Sequence, residues 1–339
     1  MEKQKAVVRS IDVGYGNTKF ITREETNGIA ETAAMFPSVA PLASTRKLSD
    51  AGGGKRNTIK IEVENNTYEV GLDAIYAQSG VAFGKSMDTN FSTSDIYIAL
   101  TLAACHYMSV DEIDLLVLGL PVSTWDNYRH QLADRVRGTH TITSTGRKIS
   151  IGECKVLPQP LGGFYHHTVR NNLTSWLKSD STNLVIDPGY YTLDWLITHG
   201  TMINDDRSGA INNGGVAGAL NAMATAIEQK LGNDIGGIHR LDAALLNDRP
   251  LRAHGEEVEL TKYRPVMEHA TKEAIGKMVN TIGTLADIDN VLIVGGGAKV
   301  FADAIREKFP KQNVVECEES VYANVRGFQV MGEKWANQK

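Results

Sequence analysis

Two short segments of this chain repeat one another. Ile11-Asp12-Val13-Gly14-Tyr15 and Ile186-Asp187-Pro188-Gly189-Tyr190 both read Ile-Asp-x-Gly-Tyr, and they stand about half a chain apart. Glycines at 14, 16 and 189 let backbone N–H groups approach an anion with no Cβ in the way. That makes a nest for phosphate oxygens that needs no arginine. Asn17, Thr18 and Thr192 could add side-chain donors, and Lys19 could neutralise further phosphate charge. Two carboxylates facing one polyphosphate would repel it unless a divalent cation stood between them. Asp12 and Asp187 therefore imply Mg2+, held largely through its waters. Read singly, either segment is also an ordinary hairpin whose aspartate caps a turn; the repetition is what favours phosphate. Duplication of a domain would place one hairpin on either wall of a central cleft, a geometry suited to gripping a polyphosphate from two sides.

A third glycine segment follows. Val291-Leu292-Ile293-Val294 leads into Gly295-Gly296-Gly297-Ala298, which reads as a buried strand, a bare turn and a helix N-terminus. A base or ribose could lie flat on such backbone. The chain has no G-x-x-x-x-G-K-[ST], and Gly14-Tyr15-Gly16 runs into β-formers rather than into a helix. P-loop and Rossmann sites are accordingly disfavoured.

The elements that must position these residues follow from periodicity. Residues 6–22 read as strand, glycine turn, strand, and 58–71 as a second hairpin with Asn65-Asn66 at its tip. Helices are expected over 94–107, 123–137, 215–231, 239–246, 263–285 and 298–309. Buried strands are expected at 114–120, 183–186 and 290–294. Strands with intervening helices indicate an α/β fold. At 339 residues the chain exceeds what one core serves. Two domains are expected, 1–180 and 181–319, with residues 320–339 forming a C-terminal helix that packs back on the first. A loop over 44–57, with Gly52-Gly53-Gly54 among Arg46, Lys47, Lys55 and Arg56, is expected to be mobile.

Composition excludes several classes. Hydrophobic residues make 42% of the chain and charged residues 22%, with no apolar run near the roughly 20 residues that span a bilayer. A net charge of -5 gives no general reason to bind a nucleic-acid backbone. The opening residues lack a signal peptide's apolar stretch, and the cysteines at 105, 154 and 317 are scattered, so a soluble cytoplasmic protein is expected. Adjacent His166 and His167 would diverge by about 100° on a helix and have no companions at ligand spacing, so they do not read as a metal site. Cys105 lies in an apolar run and reads as a small buried hydrophobe.

In this order the three glycine segments resemble the actin/Hsp70/sugar-kinase superfamily and, more narrowly, the ParM/StbA-type plasmid-segregation actins, over residues 6–335. The resemblance implies a duplicated two-domain actin-like (ribonuclease H-like) α/β fold with ATP or ADP and Mg2+ in the cleft between domains. It makes the two hairpins phosphate loops and the third segment the adenosine loop. The implied nucleotide contacts are Asp12, Gly14, Tyr15, Gly16, Asn17, Thr18 and Lys19 from the first, and Gly189, Tyr190, Tyr191, Thr192 and Asp194 from the second. Gly295, Gly296, Gly297 and Ala298 come from the third, and Gly214-Gly215 opens a helix that lines the pocket.

In Val156-Leu157-Pro158-Gln159-Pro160, Gln159 falls where the family places the residue that positions the attacking water, with Asp187 as its catalytic partner. An amide can orient water but is a poor proton acceptor, which suffices for a loose phosphoryl-transfer transition state. Plasmid-segregation members often carry glutamate there and eukaryotic actin glutamine. The resemblance further implies ATP hydrolysis coupled to a head-to-tail filament of the protein with itself. A DNA-binding adaptor would carry the cargo, with no direct nucleic-acid or membrane contact. The absence of a long C-terminal extension speaks against a Hsp70-type chaperone. Two alternatives stay open: a small-molecule kinase of the same superfamily, which needs a catalytic carboxylate at a substrate hydroxyl, and a nucleotide-switched scaffold. The adenosine loop is mostly backbone, so ATP and GTP both remain open.

Overall fold

The computed structural model describes residues 6–23, 32–44, 54–77 and 90–338, so the loop expected over 44–57 falls mostly outside the described residues. The chain divides into two compact units, Met1–Leu173 with Tyr322–Lys339, and Thr174–Val321.

In the first unit β1 (Val8–Val13), β2 (Asn17–Arg23) and β3 (Thr32–Pro37) form an antiparallel meander. A separate hairpin of β4 (Ile59–Val63) and β5 (Asn66–Val70) buries Ile59, Ile61 and Val63 and exposes Lys60 and Glu62, the period-two pattern of a half-buried strand. Its turn is Glu64-Asn65, one residue earlier than the sequence suggests, with Glu64 in the left-handed region at φ 54. Helix α1 (Asp95–Tyr107) starts where the Ser94 hydroxyl accepts the Tyr97 N–H, satisfying one orphan donor of the first turn. Strand β6 (Glu112–Leu120) pairs in parallel with β1 and is buried almost throughout. Helix α2 (Val122–Val136), β7 (Gly138–Thr141), β8 (Lys148–Pro158) and α3 (Gln159–Arg170) complete a mixed sheet of order β3-β2-β1-β6-β8-β7. No residue separates β8 from α3. Pro158 ends the strand, and Pro160 sits in the first helical turn, where its fixed φ and missing N–H are tolerated.

The second unit carries β9 (Thr182–Pro188), β10 (Thr192–His199) and β11 (Met202–Asn212), then α4 (Val216–Leu231) and α5 (Ile238–Leu246). The short hairpin β12 (Leu251–Ala253) with β13 (Glu256–Val258) precedes α6 (Arg264–Ile282), β14 (Asn290–Ile293), α7 (Ala298–Lys308) and β15 (Asn313–Glu316). The five-stranded order is β11-β10-β9-β14-β15, with β9, β14 and β15 parallel. Trp195, Met278, Phe301 and Phe309 fill the core between sheet and helices. A smaller cluster of Leu220, Met223, Ile227, Leu241 and Leu260 holds α4, α5 and the β12–β13 hairpin together. At the start of the parallel strands an amide ladder fixes register: Asn290 Nδ2 donates to Asn183 Oδ1 at 3.0 Å and Asn313 Nδ2 to Asn290 Oδ1 at 3.2 Å.

The last helix, α8 (Ala323–Ala336), belongs to the first unit and packs on β1, β6 and α3. Its approach to α3 is backbone on backbone: a Cβ at Gly327 would lie 1.7 Å from the Gly162 carbonyl oxygen. Ser10 Oγ donates to the Val325 carbonyl at 2.8 Å, tying the same helix to β1. Among the described residues no helix is long and apolar enough to cross a membrane.

Candidate functional site

In the first unit the β1–β2 register sets Asp12 opposite Lys19 and Val13 opposite Thr18, leaving Gly14-Tyr15-Gly16 as the turn. The Gly14 N–H donates to the Asn17 carbonyl at 3.2 Å. Cross-strand partners project to one face. Lys19 Nζ accordingly reaches Asp12 Oδ2 at 2.9 Å, and both side chains are shielded from solvent. The other carboxylate oxygen, Oδ1, accepts from Gln159 Nε2 at 2.6 Å. Gln159 is 8% exposed and Asp12 1%, so Gln159 is a buried helix-start residue and not a solvent-facing loop residue. Burial first, and then the negative charge of Asp12, push the Tyr97 phenol well up; its hydroxyl donates to the Gly119 carbonyl.

Two of the first hairpin's residues turn inward. Tyr15 is buried with its ring 4.9 Å from that of Phe91. Thr18 is fully buried with its hydroxyl 2.9 Å from Ser38 Oγ, and Ser38 Oγ donates to the Gly14 carbonyl at 2.5 Å. These side chains brace the turn from beneath, so what the turn offers an anion is backbone, together with Asn17 and Lys19.

The second unit repeats the turn. Asp187 lies opposite Asp194 and Pro188 opposite Leu193, and the Gly189 N–H donates to the Thr192 carbonyl at 2.9 Å. Where Asp12 faces a lysine, Asp187 faces a second carboxylate, and both aspartates are buried. Tyr190 packs its ring on the α4–α5 cluster; burial, then Asp242, push its phenol up.

The other glycine segments gather round this turn. The N–H groups of Gly215, Val216 and Ala217 donate to the carbonyls of Tyr191, Gly189 and Tyr190, which seats the start of α4 on the hairpin. A Cβ at Gly215 would lie 2.5 Å from the Gly189 carbonyl oxygen. Gly297 N–H donates to the Pro188 carbonyl at 2.8 Å. Gly295 has φ +82, and a Cβ there would lie 1.9 Å from Asp187 Oδ1. Gly296 would meet nothing nearer than Val321 at 3.8 Å, and Ala298 is a core residue.

Beside the turn a cavity of 270 Å³ opens between α4 and α6. Small residues line it, Gly214, Gly215, Gly218 and Ala219 with Ala270 and Ala274, together with buried Phe301 and the exposed Glu273 and Lys277. A larger notch of 450 Å³, lined by Arg249, Pro250, Glu257 and Arg264, holds none of the glycine segments.

Ser38, Gly119, Glu273 and Lys277 escape sequence reading. Gly119 alone left a trace, as a glycine inside an apolar strand. Its missing Cβ admits Phe328 of α8, which would lie 2.4 Å away, and the Gln159 stem at 3.0 Å.

Residues 10–162 match the family model of the actin-like proteins' N-terminal domain, and residues 185–307 match that of the C-terminal domain of the archaeal MreB-like actin homologues. This chain is an actin-like protein. No curated protein matches it. Among solved structures, the actin-like chain is similar to the archaeal actin homologue Ta0583, with TM-score 0.76 and 21% identity over 97% of this chain and 99% of that one. It is similar to a ParM from Clostridium botulinum solved as a 15-stranded filament, with TM-score 0.75 and 19% identity over 98% of this chain and 100% of that one. Ta0583 in complex with ADP also matches, with TM-score 0.75 and 19% identity over 97% and 99% of the two chains. The two-domain actin-like α/β fold is thereby established for this actin-like protein.

Proposed function

We propose that this protein is an ATPase that binds Mg-ATP and uses its turnover to assemble into and leave filaments, serving DNA segregation through an adaptor. The observation that carries the reading is the same turn in both units, an aspartate two residues ahead of a glycine whose N–H bonds the backbone carbonyl three residues on. A sequence repeat that folds to one geometry twice is the expected form of a duplicated phosphate loop.

The phosphates would be met by backbone N–H groups of the two turns, by Lys19 and by the Asn17 and Thr192 side chains. The nucleoside would lie in the small-residue cavity between α4 and α6, with Gly214, Gly215 and Gly295–Gly297 supplying bare backbone and Glu273 and Lys277 as polar rim groups. Residues suited to Mg2+ are Asp12 and Asp187. Asp194, on the same face as Asp187, adds negative charge that a divalent cation offsets. Mg2+ would be held there largely through its waters. When bound, Mg2+ neutralises phosphate charge. Gln159 orients the attacking water; the water oxygen bonds the γ-phosphorus as the bond to the bridging oxygen of ADP breaks, and both of the water's hydrogens leave on the phosphate as H2PO4−. Head-to-tail assembly is favoured by the likeness to a filament-forming ParM, and heterologous contacts of that kind build open filaments.

The test is light scattering and pelleting of the purified protein with Mg-ATP, Mg-ADP and no nucleotide, with phosphate release followed in the same tubes. ATP-dependent pelleting with phosphate release is the expected result. Hydrolysis or binding with no assembly over a wide concentration range would replace the reading with the kinase or the switch. Asp12→Ala and Asp187→Ala should each slow phosphate release; unchanged hydrolysis in both would remove the two-hairpin site.

A further inference from the structure

We infer that the second unit carries both halves of a contact between copies of this chain: the start of β11 on one copy seats on the notch beside α5 of the next. The inference deepens the filament reading above and rests on it for its occupant, a second copy of the same protein. Strand β11 lies at the edge of its sheet, and it opens with Met202, 60% exposed, and Ile203, 37% exposed. Asp205 and Asp206 follow and are exposed as well. Among the described residues neither aspartate side chain has a hydrogen-bond or ion-pair partner. The next cation along the strand, Arg207, is already committed, with Nη1 2.6 Å from Asp287 Oδ2.

The notch offers the complement. Ala244, Leu245 and Leu260 give it an apolar lining, and Leu246 beside it is 80% exposed. Each of its acids has a cation within reach: Asp248 has Arg264 at 3.8 Å, Glu257 has Arg252 at 3.7 Å and Glu259 has Lys262 at 3.1 Å. Arg249 is the charged lining residue left without a partner among the described residues. An unpaired guanidinium thus answers two unpaired carboxylates, and an exposed leucine answers an exposed methionine. Exposed ion pairs contribute little by themselves, so burial of Met202 and Leu246 supplies most of the attraction while the charges set register and exclude wrong pairings.

The two surfaces stand at opposite ends of α6. Arg264, which lines the notch, is the first residue of that helix. Arg207 Nε of β11 donates to the carbonyl of Ile282, its last residue, at 3.2 Å. The helix has 19 residues, which at 1.5 Å each separates its ends by about 27 Å. Two different surfaces so placed make a heterologous contact, and repeating it adds copies in a line instead of closing a symmetric dimer.

The experiment reverses the charges of each surface in the full chain, Asp205→Arg with Asp206→Arg in one variant and Arg249→Glu in the other. Pelleting and sedimentation velocity are run in Mg-ATP on wild type, on each variant and on their one-to-one mixture. Each variant alone sets like charges opposite one another and should need about tenfold or more protein to pellet. The mixture should pellet near the wild-type concentration, because the acidic strand of one variant meets Arg249 of the other and the two reversed surfaces meet in turn. All three positions are exposed, so both variants should melt as wild type does. Should one melt early, Asp205→Asn with Asp206→Asn and Arg249→Gln replace the reversals, each with about a threefold loss expected. If wild type pellets, either variant pelleting equally well, or a mixture of the reversed variants that stays soluble, would overturn the contact and leave the filament reading standing. If wild type does not pellet, the filament reading falls and sedimentation decides the contact. Association at high concentration in wild type and mixture but in neither variant alone supports it; any other pattern overturns it.

Discussion

Gly295 and Gly296 are neighbours in one turn and look alike in sequence, yet the structure gives them different duties. Gly295 has a left-handed backbone, and a Cβ there would sit on the Asp187 carboxylate. Gly295→Ala should cost about 3 kcal/mol and displace Asp187. Gly296→Ala should stay within about 0.5 kcal/mol of wild type, since its Cβ would have open space. Denaturant titration of the two variants checks this; equal losses would mean that the turn as a whole, and not the contact with Asp187, sets the requirement. Among the residues marked out by sequence, Tyr15 and Thr18 hold their turn from below with buried side chains. Spacing could place them in the hairpin. Their facing depended on Phe91 and Ser38, which arrive from other segments.

Helix α3 has its first residue, Gln159, at one end and Gly162 one turn on, against α8. The contact is so close that a Cβ at Gly162 would lie 2.4 Å from the Asn324 carbonyl oxygen. Gly327→Ala should force the two helices apart, costing about 3 kcal/mol, and should lift Gln159 from Asp12. The denaturation midpoint and the phosphate-release rate should fall together; a midpoint near that of wild type would show that α8 can shift without cost. The strands at 114–120, 183–186 and 290–294 are legible because they are short apolar runs bounded by glycine or proline. The strand β11 and the hairpin β12–β13 were not. Burial along β11 has no period of two, β12 and β13 are three residues each, and what defines them is pairing with neighbouring strands.

Three histidines make the molecule as a whole sensitive to mild acid. Burial lowers the pKa of His167, and burial followed by a nearby arginine lowers those of His106, beside Arg147, and His239, beside Arg240. Their folded values lie below the unfolded one, so the unfolded chain takes up protons first. The stability they contribute is complete above about pH 6.5 and is lost as pH falls through that value toward their folded ones. Melting temperatures should drop between pH 7.5 and 5.5, and His167→Asn should flatten part of the slope. A melting temperature constant over that window would contradict the burial of these rings.

The sequence alone determined that the chain carries one Ile-Asp-x-Gly-Tyr hairpin twice, that a strand–glycine–helix segment follows, and that strands alternate with helices. Each of these is written locally, in residue type and spacing, where glycine, proline and apolar period act over a few positions. Only the tertiary structure decided that Gln159 Nε2 bonds Asp12, 147 positions away in the chain, and that the second aspartate faces a carboxylate instead of a lysine. It also decided that small residues of α4 and α6 leave a cavity beside the second turn. Those facts depend on register between strands and on how closely helices approach, which long-range packing sets and no local spacing records.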